Sequence, residues 1–199
     1  MIRCHNNVDA WNVLVEKCYI NGYKQEIQRG SFAGGNTVRY QLEPLMIEIC
    51  SPLDFTYLPK DITPGMIENY YEKYIISPEV AKNETYTYGS RINLQLQTVM
   101  DMLARTPNTN QASISISQPS DIHLSDPPCL REITFSFFEG RLHMTSFWRS
   151  NDIKAAFLLN QGGLALLLRD VAEYAGWHVG SHFYCSPGAH VYDYGSGGD

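Results

Sequence analysis

Two alternating runs, residues 132–138 and 141–148, meet at Glu139-Gly140, and this pairing limits the fold more than any other part of the chain. Period-two alternation on both sides of a glycine turn predicts a β-hairpin. Further strand patterns precede it. Residues 25–53 read as extended structure broken by Ala33-Gly34-Gly35-Asn36, with Leu45, Ile47 and Ile49 alternating against Met46, Glu48 and Cys50. Ile114 and Ile116 point one way within 112–117.

Helical periods fall between these strands. Trp11, Leu14, Val15 and Cys18 share one face of a helix over 9–19. Thr63-Pro64 offers a capping hydroxyl and a proline for the first helical position, ahead of Ile67, Tyr70, Tyr71 and Tyr74. A third helix is predicted over 92–105, packing Leu96, Val99, Met100 and Leu103, and a fourth over 159–175, ending at Gly176. Strands and helices interleave without βαβ repetition. The expected class is α+β, a mostly antiparallel or mixed sheet packed against helices. Residues 1–194 are expected to form one domain and 195–199, Gly-Ser-Gly-Gly-Asp, a flexible tail.

Composition narrows the function classes. A formal net charge of -6 disfavours nucleic acid, because phosphate backbones select basic surfaces. No apolar run approaches the ~20 residues of a membrane span, and Met1-Ile2-Arg3-Cys4-His5 is no signal peptide, so cytoplasmic residence is expected. Five irregularly spaced cysteines predict neither a disulfide framework nor a zinc site. Cys4, Cys18, Cys50 and Cys185 read as packing residues. The six histidines show no ligand spacing with the cysteines, so no metal is expected.

Cys129 is different. It follows two prolines in Asp126-Pro127-Pro128-Cys129-Leu130, and their rings hold the preceding backbone extended. Twenty residues on stands Trp148-Arg149-Ser150-Asn151-Asp152, whose Arg-Ser pair suits a phosphate: a forked guanidinium beside a hydroxyl. A positioned thiol near an anion clamp points to covalent catalysis on a phosphorylated substrate.

From Tyr86-Thr87-Tyr88-Gly89 to Tyr192 the chain resembles the thymidylate synthases and their pyrimidine hydroxymethylase relatives, most of all the short archaeal-type branch. Tyr88-Gly89, Pro127-Pro128-Cys129, Arg149-Ser150-Asn151-Asp152 and His190-Val191-Tyr192 occur in the family's order, with Asn160 at the family's spacing after the Arg-Ser pair. The resemblance implies a thymidylate synthase-like fold and a homodimer formed across a sheet face. It implies that Cys129 adds to C6 of a pyrimidine, activated by Arg149, which also binds phosphate with Ser150. It gives Asn160 the base, His190 and Tyr192 the sugar 3′-hydroxyl, and Asp152 both base and folate. Tyr88 assists proton removal from C5. Trp148, where many members carry glutamine, is expected on the folate side, and Arg29 on the mobile phosphate loop. Asn160 favours uracil, because its amide can accept from N3–H and donate to O4.

The reaction so implied is one-carbon transfer from 5,10-methylenetetrahydrofolate to C5 of a pyrimidine nucleotide, most simply dUMP to dTMP. The alternatives are 5-hydroxymethylation of dUMP, dCMP or CMP, and nucleotide binding without turnover. Two departures from the family motivate them. Asn110-Gln111 stands where two adjacent arginines would complete the phosphate site from the other subunit, and Ala155-Ala156-Phe157-Leu158-Leu159 replaces the usual loop before Asn160. The chain also stops soon after Tyr192, which predicts a missing segment over the folate.

Overall fold

The computed structural model describes residues 1–28 and 37–193. Arg29, the Ala33-Gly34-Gly35-Asn36 turn and the 195–199 tail lie outside the described residues. In chain order the elements are β1 (Ile2–Cys4), α1 (Asn7–Asn21), β2 (Tyr23–Glu26), β3 (Val38–Gln41), β4 (Leu45–Ile49), α2 (Pro64–Tyr70) and α3 (Tyr88–Arg105). They continue with β5 (Ser113–Ser115), β6 (Leu130–Phe138), β7 (Arg141–Trp148), β8 (Asn151–Asp152), α4 (Phe157–Ala175), β9 (His178–Ser186) and β10 (Ala189–Asp193).

The strands form two sheets, a six-stranded one in the order β1-β4-β9-β7-β6-β5 and a four-stranded one in the order β2-β3-β10-β8. Most pairings are antiparallel, but β1–β4, β7–β9 and β8–β10 are parallel, so both sheets are mixed. The predicted hairpin is β6–β7. Glu139 and Gly140 both take positive φ, 52° and 73°, the turn whose twist matches paired strands.

Alternation decides which residues enter the core. On β7, Leu142, Met144, Ser146 and Trp148 are buried, and Ile133 and Phe135 of β6 and Ile47 and Ile49 of β4 join them. Helix α4 sits among them, with Leu164, Leu167, Leu168 and Val171 fully buried. It is apolar nearly all round, as befits a central helix rather than a surface one. Its Gly162-Gly163 step lets α2 come close: a Cβ on Gly162 would lie 2.7 Å from Ile67 Cγ2, and one on Gly163 3.0 Å from Tyr70 Cδ1.

Two helical expectations need correction. Helix α3 begins at Tyr88, not Ile92, because Thr87 and Ser90 form a reciprocal capping box. Tyr88-Gly89 therefore opens the first helical turn. Helix α2 passes into a π-helical turn at Tyr71–Ile76. The wider turn breaks the 3.6-residue period, so Tyr71 is buried while Tyr74 is left partly exposed.

Candidate active site

A cleft of ≈ 580 Å³ opens where the two sheets meet the N-terminal ends of α3 and α4. Its size is ordinary for a small-molecule site. Tyr88, Cys129, Arg149 and Ser150 line it, and so do Asp152, Asn160, His190 and Tyr192. Residues as far apart in the chain as Tyr88 and Tyr192 are thus gathered from loops, strands and helices.

The thiol and the clamp are tied to each other. Cys129 lies just before β6 and Arg149 just after β7, so the hairpin brings them together, and Arg149 N–H donates to the Cys129 carbonyl at 2.9 Å. The Arg149 guanidinium donates from Nε to the Pro128 carbonyl (3.0 Å) and from Nη2 to the Pro127 carbonyl (2.5 Å). Asp126 approaches the same Nη2 at 3.6 Å. The two prolines therefore present their carbonyls to a cation, which holds the loop in place.

The influences on the thiol oppose one another. Burial pushes the Cys129 thiol above its ordinary value, Arg149 and Arg131 pull it down, and Asp126 pushes it up. Burial is the largest of these influences, and Arg149 is the strongest one against it. The Tyr88 phenol is likewise raised by burial and keeps its proton. It is available as a hydrogen-bonding group rather than as an anion.

The polar wall comes from the four-stranded sheet and α4. His190 and Tyr192 stand on one face of β10, their rings 4.7 Å apart at 75°. His190 Nδ1 donates to the Gly188 carbonyl at 2.8 Å, which leaves Nε2 as an acceptor. That nitrogen is buried and has no partner among the described residues. Burial, the largest influence, lowers the His190 pKa and keeps the ring neutral. A buried acceptor facing a cleft is suited to a ligand hydroxyl. Gly188 makes this wall possible, since a Cβ there would come 2.4 Å from the Arg149 carbonyl.

Asn160 sits in the first turns of α4. A helix-capping role competes for an asparagine near a helix start, but Ala156 is the N-cap and the Asn160 side chain points elsewhere. Its Oδ1 accepts from Tyr70 Oη at 2.6 Å, and its Nδ2 donates to Asn151 Oδ1 at 3.4 Å. Asp152 Oδ1 accepts from Ala155 N–H at 3.1 Å, holding the turn into α4.

Trp148 is a correction. It does not line the cleft and is fully buried, with Nε1 donating to Ser146 Oγ at 3.0 Å. Strand alternation turns position 148 inward with Ser146 and Met144, and its ring meets Tyr88 edge-on at 5.9 Å. It packs beneath the cleft, behind Tyr88. Arg29 lies outside the described residues, and Asn110 and Gln111 are exposed and do not line the cleft.

Sequence reasoning missed three residues. Arg39 lines the cleft from β3, directly opposite Tyr192, with Nε and Nη2 both bonded to Gln25 Oε1 at 3.2 and 3.1 Å. Asn151 lines it beside Asn160, and its buried Nδ2 has no partner among the described residues. Tyr70 stands behind Asn160. An arginine inside a strand was the available signal for Arg39, and Asn151 stands within the Arg149-Ser150-Asn151-Asp152 motif without having been given a role; no local signal marks Tyr70. Among the described residues no cluster of three or more His, Cys, Asp or Glu could hold a metal ion, and no helix is long and apolar enough to cross a membrane.

Residues 8–195 match the protein family described as Thymidylate synthase. A Methanosarcina acetivorans protein with a provisional thymidylate synthase name is 30% identical over 203 residues, covering 98% of this chain and 90% of its own. A Methanosarcina mazei counterpart, also provisionally named, is 32% identical with the same coverage. The thymidylate synthase of Shewanella halifaxensis matches over 100 residues at 30% identity, half of this chain and 35% of its own. Among solved structures, the thymidylate synthase of T4 phage superposes with a TM-score of 0.74 at 15% identity, over 92% of this chain and 76% of that one, and so shares the fold.

Proposed function

The chain belongs to the thymidylate synthase family, and from that premise we propose that it methylates dUMP to dTMP with 5,10-methylenetetrahydrofolate, through a Cys129 adduct at C6. It is a transferase of the thymidylate synthase or hydroxymethylase kind. Residues 1–194 act as one catalytic domain in this reading, and the enzyme works in the cytoplasm.

The observation that supports it most is the convergence of Cys129, Arg149, Ser150, Asn160, His190 and Tyr192 on one cleft. In the proposed complex Ser150 and Arg149 hold the phosphate, and the buried His190 Nε2 accepts from the sugar 3′-hydroxyl beside Tyr192. Asn160 Nδ2 donates to O4, where negative charge gathers once the Cys129 thiolate has added to C6. Rotation of Arg149 from the proline carbonyls toward phosphate keeps its charge beside the thiol. Tyr88 hydrogen-bonds the group that removes the C5 proton, and the Cys129 sulfur leaves at the end.

Folate also finds suitable surface. Asp152 offers a carboxylate for ring N–H groups, and exposed Ile122 offers apolar area on the cleft wall. When bound, folate supplies the methylene carbon and the hydride. A second reading, 5-hydroxymethylation, is favoured by the altered segment before Asn160: Phe157 and Leu158 are buried and do not line the cleft, so they do not help to keep water from it. Release of C5 tritium with growth of dihydrofolate absorbance supports methylation. Tritium release without that absorbance supports hydroxymethylation, and no release from any pyrimidine nucleotide sinks both.

We further propose a homodimer through the outward face of the six-stranded sheet. Met46, Phe138 and Phe147 are 42%, 42% and 45% exposed there, a large apolar area for a free sheet face. Phe147→Asp should then run as a monomer in light scattering. A wild-type chain that is monomeric at micromolar concentration overturns this part of the proposal.

A further inference from the structure

Behind the cleft, Tyr70 and Asn160 form a contact that no motif marks. The Tyr70 hydroxyl lies 2.6 Å from Asn160 Oδ1 and has no other hydrogen-bond partner among the described residues. Its ring packs against Tyr74, with centroids 5.3 Å apart, and rests on α4 at Gly163. Glycine at that step is what lets α2 approach closely enough for the phenol to reach the amide. Burial raises the phenol well above its ordinary value, so it remains a donor with one proton.

A free carboxamide can present either end to a base. Here the two ends are not equivalent. Only the oxygen can accept the phenol proton; turning Nδ2 toward Tyr70 would make the phenol oxygen the acceptor and leave its proton without one among the described residues, and a buried donor without an acceptor is strongly disfavoured. Asn151 adds to the bias, because its Oδ1 accepts from Nδ2 at 3.4 Å on the other side. With both ends assigned, Asn160 keeps one lone pair on Oδ1 and one hydrogen on Nδ2 for a ligand in the cleft that it lines. Uracil, with N3–H and O4, matches that pair. Cytosine presents an acceptor at N3 and a donor at N4, and would require the turned amide.

We propose that Tyr70 is a positioning residue that locks the Asn160 carboxamide in the orientation selecting uracil over cytosine. This rests on the reading of Asn160 as the residue that contacts the base. Tyr70 touches no substrate in this account and acts only through the amide.

The test uses the full chain. The specificity constant for C5 tritium release is measured with dUMP and with dCMP, and calorimetry measures the affinity of each. Wild type should favour dUMP. Tyr70→Phe keeps the ring and removes the proton, so the dUMP-to-dCMP ratio should fall by about tenfold. Tyr74→Phe, on the exposed side of the same ring pair, should leave the ratio unchanged, which separates the amide lock from a general loosening of α2. A wild-type preference for dCMP, or an unchanged ratio in a folded Tyr70→Phe protein, overturns the inference. Absence of tritium release in wild type overturns the catalytic proposal instead, and the calorimetric ratio then still decides the role of Tyr70. Binding of neither nucleotide overturns both.

Discussion

The two sheets of this protein are built on opposite principles. Along the inner face of the six-stranded sheet, Ile47, Ile133, Phe135, Met144 and Tyr184 are wholly removed from solvent against α4. The four-stranded sheet has only a short one, where Ala189 and Val191 of β10 are fully buried beside α1. Every residue of β3 is only partly buried, and the side chains it turns toward the cleft include Arg39, Asp152, His190 and Tyr192. The large sheet buries the greater part of the apolar strand surface. The small one carries polar groups, some without partners, that destabilise the free protein and become useful when a ligand arrives. Cys129 and Arg149 lie at the border, each one residue beyond a fully buried core side chain, Leu130 and Trp148. Core rigidity is thereby passed to these two side chains.

Substitutions can break this division in order of size. Cys129→Ala should abolish C5 tritium release, by on the order of 10³-fold or more, while the melting curve stays put. Retained exchange would remove the nucleophile from the proposal. Next, Phe135→Ala in the large sheet should cost about 3–5 kcal/mol in denaturant unfolding, with KM little changed in whatever remains folded. His190→Ala in the small sheet should do the reverse, raising KM for the nucleotide about tenfold with a stability change under about 1 kcal/mol. If the two variants behave alike, the sheets do not divide labour as described.

Acid should find the large sheet first. His182 is buried, its Nε2 is 2.8 Å from Ser146 Oγ, and burial lowers its pKa from 6.5 to about 3. Between these values the unfolded chain binds a proton that the folded chain refuses, so stability falls as pH falls below 6.5 and levels off near 3. His143 and His190, also lowered by burial, act in the same direction. His182→Gln should flatten this acid limb in melts taken from pH 7 to pH 4; an unchanged slope would exclude His182 as its main source. The smallest effect expected is that of Thr87→Ala. Loss of the cap on α3 should cost about 1 kcal/mol and shift Tyr88 slightly, seen as a small drop in turnover.

Much of the scaffold was legible in order because its signals are local. Thr63 and Pro64 start α2, Gly176 ends α4, and the Glu139-Gly140 turn joins β6 to β7, each by chemistry contained in a few neighbouring residues. The start of α3 was missed because Gly89 lowers the helical signal, whereas the capping box that overrides it depends on side-chain geometry. The π-helical turn after Tyr70 was missed for a related reason: periodicity counts residues and assumes one pitch.

The candidate site divides in the same way. By itself the sequence determined the roster, a thiol behind two prolines, an Arg-Ser pair, Asn160, and the His190–Tyr192 alternation, since residue type and spacing state what chemistry is on offer. Which of these face one another was decided only by the tertiary structure. It turned Trp148 into the core, brought Arg39 to the cleft opposite Tyr192, and let Tyr70 reach Asn160 across a glycine step. It also left the Cys129 thiol raised, because burial and the company of Arg149 depend on the whole fold. Chemical capacity belongs to the residues, whereas orientation, burial and pKa arise from packing between segments far apart in the chain.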